Sequence, residues 1–227
     1  MSTRLTPLAD GLACVQHPLK VNGMPVSTRM TVIRLGDGSL WVHSPVPADE
    51  PTRAELNRMG PVRHVVAPSL THHLFVKDFA AHHPEATVYG APGLSRKRPD
   101  LTGLQALDDP PGPWAPELSF MVFGGIPLAN ETVWFHAPTA TLILTDLCQF
   151  WQEPMPWVAR WWSGLTQTRE RFDMPLHVRW LVRDKAAARA SAQAMLRWPF
   201  ERVVMAHTAV ITHDAQAQVR HALRHVL

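Results

Sequence analysis

The sequence has few of the features that mark secreted, membrane-spanning or nucleic-acid-binding proteins. Its two cysteines, Cys14 and Cys148, form no CxxC motif, so we expect two reduced, mostly buried thiols in a cytoplasmic protein. No apolar signal-peptide core follows Met1, and no run approaches the roughly 18 to 20 apolar residues of a membrane span. The formal charge is only +3 and the basic residues are scattered, so we expect no nucleic-acid partner. Without an apolar span we also expect no membrane partner.

A nucleotide-phosphate cradle is also missing, because no glycine-rich turn follows a predicted strand. The composition, with 46% hydrophobic and 18% charged residues, is that of a folded protein rather than a disordered tail. The length of 227 residues suits one larger domain, and we expect a single domain over residues 1–227.

Hydrophobic periodicity predicts antiparallel hairpins first and then strands that alternate with helices. The first hairpin covers residues 31–44, where two apolar runs flank the turn Gly36-Asp37-Gly38. Helices are predicted over 50–59, 72–83, 184–198 (with Asp184 as N-cap) and 214–227 (capped by Thr212 or Asp214), and a broken helical segment over 148–168. Further strands are predicted over 62–67, 86–90, 118–124, 131–136, 141–145 and 200–206, with a loop over 96–117. This order indicates a layered α/β domain with helices outside two sheets.

Polar side chains follow three of the predicted strands at the point where each strand ends. Thr71-His72-His73 follow the strand over 62–67, Asp146 follows 141–145, and His207 follows the last strand. Imidazole and carboxylate are good ligands for Zn²⁺ or Fe²⁺, and strand ends hold side chains rigidly. The pattern therefore predicts a metal site at the edge of a sheet.

Each of these residues also has a simpler interpretation. The histidine pair at 72–73 is compatible with exposed residues at a helix start, and Asp146 with an N-cap for the segment that begins near Leu147. His207 is compatible with a hydrogen-bonded core histidine. The order of the three elements favours ligands over these alternatives.

The second hairpin points to Glu131 as a further site residue. If residues 137–140 form its turn, Glu131 lies across from Asp146, whereas His136 lies by the turn at the opposite end. Glu131 is then a metal ligand, a partner that orients a ligand, or a general base. Cys148, two residues after Asp146, is a minor ligand candidate.

The three elements, in this order, resemble the metallo-β-lactamase superfamily, whose fold is an αββα four-layer sandwich. Its signature is a strand followed by HxHxDH, a later Gly-His, a strand ending in Gly-Asp, and a strand ending in a final histidine. Residues 65–73 match the first region with His73 at its last histidine, Thr145-Asp146 matches Gly-Asp, and His207 matches the final histidine. Residues 40–47 and 92–100 are typical of one bacterial branch of unknown function, described as metal-dependent hydrolases.

The chain departs from this signature in the half that holds the first of two metal ions. Pro68, Leu70 and His72 stand where the family has His, His and Asp, and residues 125–127 replace the Gly-His element. The second ion's set survives as His72, His73, Asp146 and His207. The resemblance therefore implies at most one zinc or iron ion per chain.

The resemblance implies a hydrolase that acts on a small ester, thioester or lactone, with Glu131 or Asp78 accepting the proton. A second hypothesis is a metal-free or regulatory domain that kept the fold, lost catalysis and binds a ligand or partner through its tryptophan-rich stretch, residues 151–162. For that stretch, ordinary core packing of a broken helix is the simpler interpretation. A third hypothesis is redox or oxygen chemistry at a single iron.

Overall fold

Two β-sheets pack face to face, and helices cover their outer surfaces. The computed structural model describes residues 4–21, 23–107, 112–152, 155–207 and 209–227. The first sheet contains, in spatial order, β1 (Thr6–Ala9), β2 (Leu12–Val21), β3 (Met24–Arg34), β4 (Leu40–His43), β5 (Val62–Ala67), β6 (Thr87–Gly90) and β7 (Gln105–Ala106). Neighbours are antiparallel up to β4 and parallel from β4 to β7.

The second sheet is built from β8 (Leu118–Val122), β9 (Thr132–His136), β10 (Thr141–Ile143), β11 (Arg202–Val204) and β12 (Val210–Ile211). Its spatial order is β12-β11-β10-β9-β8. The pair β10–β11 is parallel and the other pairs are antiparallel. Because parallel strands end at the same sheet edge, Asp146 and His207 leave the sheet side by side.

The helices are α1 (Glu50–Met59), α2 (Val76–Ala81), α3 (Leu94–Lys97), α4 (Trp157–Leu165), α5 (Leu176–Leu181), α6 (Lys185–Met195) and α7 (Ala215–Ala222), which continues into a 3-10 turn (Leu223–His225). None of the helices in the described ranges has the length and apolarity that a membrane crossing requires.

Alternation along the strands separates the inner apolar layer from the two outer ones. In β4, Trp41 points between the sheets, where its ring lies 4.8 Å from that of Trp134 in β9. Its neighbours Leu40 and Val42 point outward and pack with Leu56 of α1 in the outer layer of the first sheet. A third apolar cluster joins the outer face of the second sheet to α5, α6 and α7. This layering is the predicted αββα sandwich.

Several predicted elements coincide with the observed ones. The helix over 50–59 and the strand over 62–67 have the predicted bounds. The second hairpin has the expected register, since Thr141 pairs with His136. Asp184 is the N-cap of α6, and its carboxylate accepts a hydrogen bond from the amide of Ala187.

Other predictions differ from the structure in extent or in detail. The predicted helix over 72–83 is only α2, because residues 72–75 form a loop instead. Asp214 holds the N-cap position of α7, but its backbone is left-handed (φ 49°) and its side chain makes no capping hydrogen bond. The predicted loop over 96–117 includes the end of α3 and β7, and its residues 108–111 lie outside the described residues. Likewise, the predicted segment over 148–168 becomes helical only in α4, and its residues 153–154 are not described. The sequence pattern did not predict β1, β2 or α5.

Candidate metal centre

Three ligand-type side chains converge where the two sheets meet. Asp146 places one carboxylate oxygen 3.1 Å from Nε2 of His207 and the other 3.3 Å from Nε2 of His72. One atom from each residue lies within 4.8 Å of the others, a spacing that suits a shared metal ion. The side chain of Asp146 is 22% exposed, so water can reach the group.

The loop after β5 is folded so that His72 faces Asp146. The hydroxyl of buried Ser69 accepts hydrogen bonds from the backbone amides of Thr71 and His72, which closes a tight turn. The hydroxyl of Thr71 then donates to Asp146 at 2.8 Å. Loops from both sheets are thus joined directly at the group.

The other ring nitrogen of each histidine is engaged by the protein. Nδ1 of His72 lies 3.0 Å from the hydroxyl of Ser44, a buried residue with an unusual left-handed backbone (φ 51°). Nδ1 of His207 donates to the carbonyl oxygen of Ser27 at 2.6 Å. Both contacts direct the Nε2 atoms towards Asp146, as in metal-binding histidines whose second nitrogen is hydrogen-bonded.

Arg29 of β3 fixes the loop that carries His207. It is 3% exposed, and its guanidinium donates to the carbonyl oxygens of Met205 at 2.5 Å and Ala209 at 3.0 Å. These two carbonyls lie on either side of His207 in the chain. A buried charge with such partners is costly to remove, so Arg29 restricts the position of this histidine.

Glu131 lies under the loop that carries Asp146. Its carboxylate accepts hydrogen bonds from the backbone amides of Thr145 at 2.6 Å, Asp146 at 2.9 Å and Leu147 at 2.8 Å. The hairpin geometry expected from the sequence is therefore present, with Glu131 opposite Asp146. Both carboxylate oxygens of Glu131 thus bind the backbone of the loop that carries Asp146, an arrangement that fits the orienting role among the three that the sequence left open.

Opposite charges offset the cost of burial within the group. Burial opposes the charged form of His72, but the Asp146 carboxylate outweighs it and holds the pKa of His72 above its usual value. Burial likewise opposes the charge of Asp146, yet His72 and His207 hold its pKa well below the usual range. Asp146 is therefore an anion at neutral pH, as a metal ligand must be.

Three other residues that the sequence placed in or near the site lie apart from the group. His73 turns towards α3, where its Nδ1 lies 3.0 Å from the guanidinium of Arg98. Asp78 is on α2 and lines a separate cavity of about 140 Å³ with Arg53 and His83. Cys148 is fully buried, which raises the pKa of its thiol well above the usual value. The geometry thus groups His72, Asp146 and His207 without His73.

Further residues lie around the centre, and of these the sequence singled out only Trp151, as part of the tryptophan-rich stretch that the second hypothesis assigns to ligand or partner binding. The ring of Trp151 stacks on that of His207 at 5.6 Å, and its indole N–H donates to Gln149, which in turn donates to Asp146. His177 of α5 lies close enough for the charges of Asp146 and His207 to affect its pKa. Because the sequence pattern did not predict α5, it gave no signal for His177.

A family model described as a domain of unknown function, DUF4336, matches residues 14–178. No curated protein matches the sequence.

Solved structures with a similar fold include metallo-β-lactamases. One from Pontibacter korlensis has a TM-score of 0.65 at 14% identity, with 98% of each chain covered. One from Erythrobacter litoralis has a TM-score of 0.65 at 14% identity over 97% of this chain and 95% of that one. The mono-zinc form of FIM-1 from Pseudomonas aeruginosa has a TM-score of 0.63 at 12% identity, covering 97% of this chain and 94% of its own. These likenesses extend over nearly the whole chain and establish the predicted fold.

Proposed function

Since the chain belongs to the DUF4336 family of domains of unknown function and has the metallo-β-lactamase fold, we propose that it is a metal-dependent hydrolase. His72, Asp146 and His207 would hold a single zinc or iron ion. The observation that carries this proposal is the direction of both Nε2 atoms towards one carboxylate while both Nδ1 atoms are held by Ser44 and Ser27.

The donor set fits such an ion. Two imidazole nitrogens and one carboxylate oxygen are a common set for Zn²⁺ and for non-haem Fe²⁺, and three protein ligands leave a position open for water. That FIM-1 is found in a mono-zinc form supports the view that one ion can occupy this fold. When bound, the ion would acidify a water molecule and polarise the carbonyl oxygen of the substrate.

The residues around the ligands keep this geometry fixed. Glu131 holds the loop of Asp146 through three amides, and Arg29 holds the loop of His207 through two carbonyls. Thr71 and Gln149 donate to Asp146 and so orient its carboxylate. Partners of this kind typically change metal affinity about 10- to 100-fold when they are removed.

For proton transfer we assign His177 in place of Glu131 and Asp78. Burial lowers its pKa, so the imidazole is neutral at pH 7 and can accept a proton. Its buried Nδ1 has no hydrogen-bond partner among the described residues. The substrate class remains a small ester, thioester or lactone, whose carbonyl suits attack by an activated water.

The deciding experiment measures metal in the purified protein and in two variants of adjacent histidines. We expect about one zinc or iron per chain in the wild type, little or none in His72→Ala, and the wild-type amount in His73→Ala. The two substitutions are the same and the positions are neighbours, so the comparison separates loss of a ligand from general damage. Chelation should also lower the melting temperature of the wild type and of His73→Ala, but not of His72→Ala.

Two other results of this experiment would contradict the proposal. A wild type without metal, whose melting temperature does not respond to added zinc or iron, would overturn the proposal and favour a ligand-binding domain. Loss of metal in His73→Ala but not in His72→Ala would show that the ligand set is wrong. If one ion is bound, p-nitrophenyl esters, thioesters and lactones are the first substrates to test.

A further inference from the structure

In an ordinary amphipathic helix the large apolar residues are buried, and α4 shows the opposite arrangement. Its buried side chains are the small residues Ala159 and Ser163. Its large apolar residues face solvent instead: Trp157 is 80% exposed, Trp161 is 64% exposed and Leu165 is 52% exposed. These three are spaced four residues apart and therefore lie along one side of the helix.

A fourth exposed large apolar residue lies on α5, which is next to the end of α4. The start of α5 is tied to the end of α4 by a hydrogen bond from the amide of Leu176 to the carbonyl of Thr166, and the ring of His177 lies 5.7 Å from that of Trp162. Trp180, three residues after His177, is 70% exposed. We call Trp157, Trp161, Leu165 and Trp180 the aromatic face. Contiguous exposed apolar surface of this kind marks an interaction site.

The segment that carries the aromatic face has a positive formal charge. Residues 155–183 contain five arginines and two acidic residues, a formal charge of +3. One of the two acids, Asp173, is fully buried and paired with Arg171, Arg179 and Arg224. These ion pairs hold Arg171 and Arg179 beside the buried acid, whereas Arg160 is the direct neighbour of Trp161 in α4.

We propose that the aromatic face binds the surface of an anionic phospholipid bilayer. Tryptophan rings favour the headgroup level of a membrane, and nearby arginines are attracted by acidic lipids. A second copy of the chain fits less well, because a two-fold contact through this face would bring two segments of the same positive charge together. The three exposed residues of α4 lie along one side of a helix, which suits shallow insertion of that side into a membrane surface.

The test is co-sedimentation of the purified full-length chain with vesicles. We expect binding to vesicles of phosphatidylcholine and phosphatidylglycerol in equal parts, weaker binding to phosphatidylcholine alone, and release by salt. Tryptophan emission should shift to shorter wavelength on binding. The double variant Trp157→Ser/Trp161→Ser should bind about tenfold more weakly or worse, since it removes much of the apolar area that is inserted.

The matched control is Leu128→Ser, at a residue that is 61% exposed outside the aromatic face; it should bind like the wild type. Should the tryptophan variant fail to fold, Arg169→Gln/Arg183→Gln tests the same proposal and should lose the preference for acidic vesicles. A wild type that stays in the supernatant with acidic vesicles would overturn the proposal. So would equal binding of the tryptophan variant and the control. A wild-type dimer that becomes a monomer in Trp157→Ser/Trp161→Ser by light scattering would instead assign the face to self-association.

Discussion

Asp146 and Glu131 are close acidic residues whose different surroundings give them different roles. The carboxylate of Asp146 faces two imidazoles, a hydroxyl and the amide of Gln149, so it can exchange these partners for an ion. The carboxylate of Glu131 faces three backbone amides, which cannot move without unfolding the loop. Burial and the charge of Asp146 raise the pKa of Glu131, and the amides oppose this by favouring its ionised form.

At this scale we predict that Glu131→Gln destabilises the protein by about 2 to 4 kcal/mol, because the new NH₂ group faces amide donors in a buried site. Metal affinity should also fall, since the loop of Asp146 loses its support. Chemical denaturation and metal titration measure the two effects. The same substitution at Glu117, whose two hydrogen bonds to the amide of Gly36 are solvent-exposed, should cost less than about 1 kcal/mol. Equal losses at both positions would contradict the positioning role.

At the scale of elements, the sequence predicted the structure where a local signal agrees with the tertiary contacts. The helix α1 has proline at its start and glycine at its end, and β5 is rich in valine and is bounded by Pro61 and Pro68. By contrast, β2 carries His17, Pro18 and Lys20 within the strand, and α5 begins just after Pro175 with only six residues. Pairing with β3 rather than local preference makes β2 a strand.

The residues of the candidate site also divide into those that a local sequence signal predicts and those that depend on tertiary contacts. His72, Asp146 and His207 could be predicted because each is a polar residue that follows a largely apolar strand. Glu131 could be predicted from the register of the second hairpin. The sequence predicts both His72 and His73 as ligands. That His73 turns away could not be predicted, because this depends on the turn that Ser69 closes and on Arg98, which follows α3. The sequence favours core packing for the tryptophans of α4, because residue type alone does not tell which side of a helix is buried.

One prediction at this scale concerns the contact between the loop after β8 and the start of α6. Gly125 has φ +82°, and a Cβ there would lie 2.2 Å from the carbonyl oxygen of Asp184. We expect Gly125→Ala to lower the free energy of unfolding by about 2 to 4 kcal/mol, from backbone strain together with overpacking. Gly103→Ala is the control: its φ is +76°, but a Cβ would meet nothing within 4 Å, so only about 1 kcal/mol should be lost. Similar losses in the two variants would refute the close approach.

In the molecule as a whole, burial favours the neutral form of many histidines. Burial is the first cause of a lowered pKa in eight of the 13 histidines of the chain. The strongest case with a value is His43 of β4, which is 1% exposed and stacks on Trp41 between the sheets. Burial, and secondarily the charge of His72, lower the pKa of His43 to about 3.

This arrangement predicts how stability depends on pH. The unfolded chain binds a proton at His43 as the pH falls through about 6.5, whereas the folded chain binds it only near pH 3, so acid favours unfolding and stability rises with pH across this window. We expect His43→Gln to reduce the slope of the unfolding free energy against pH, between about pH 4 and pH 6, by about 1.4 kcal/mol per pH unit. Urea denaturation at a series of pH values measures this slope. His43→Phe should show the same reduced slope at a different absolute stability, because neither replacement titrates; slopes that equal that of the wild type would mean that His43 takes up its proton in the folded protein as readily as in the unfolded chain.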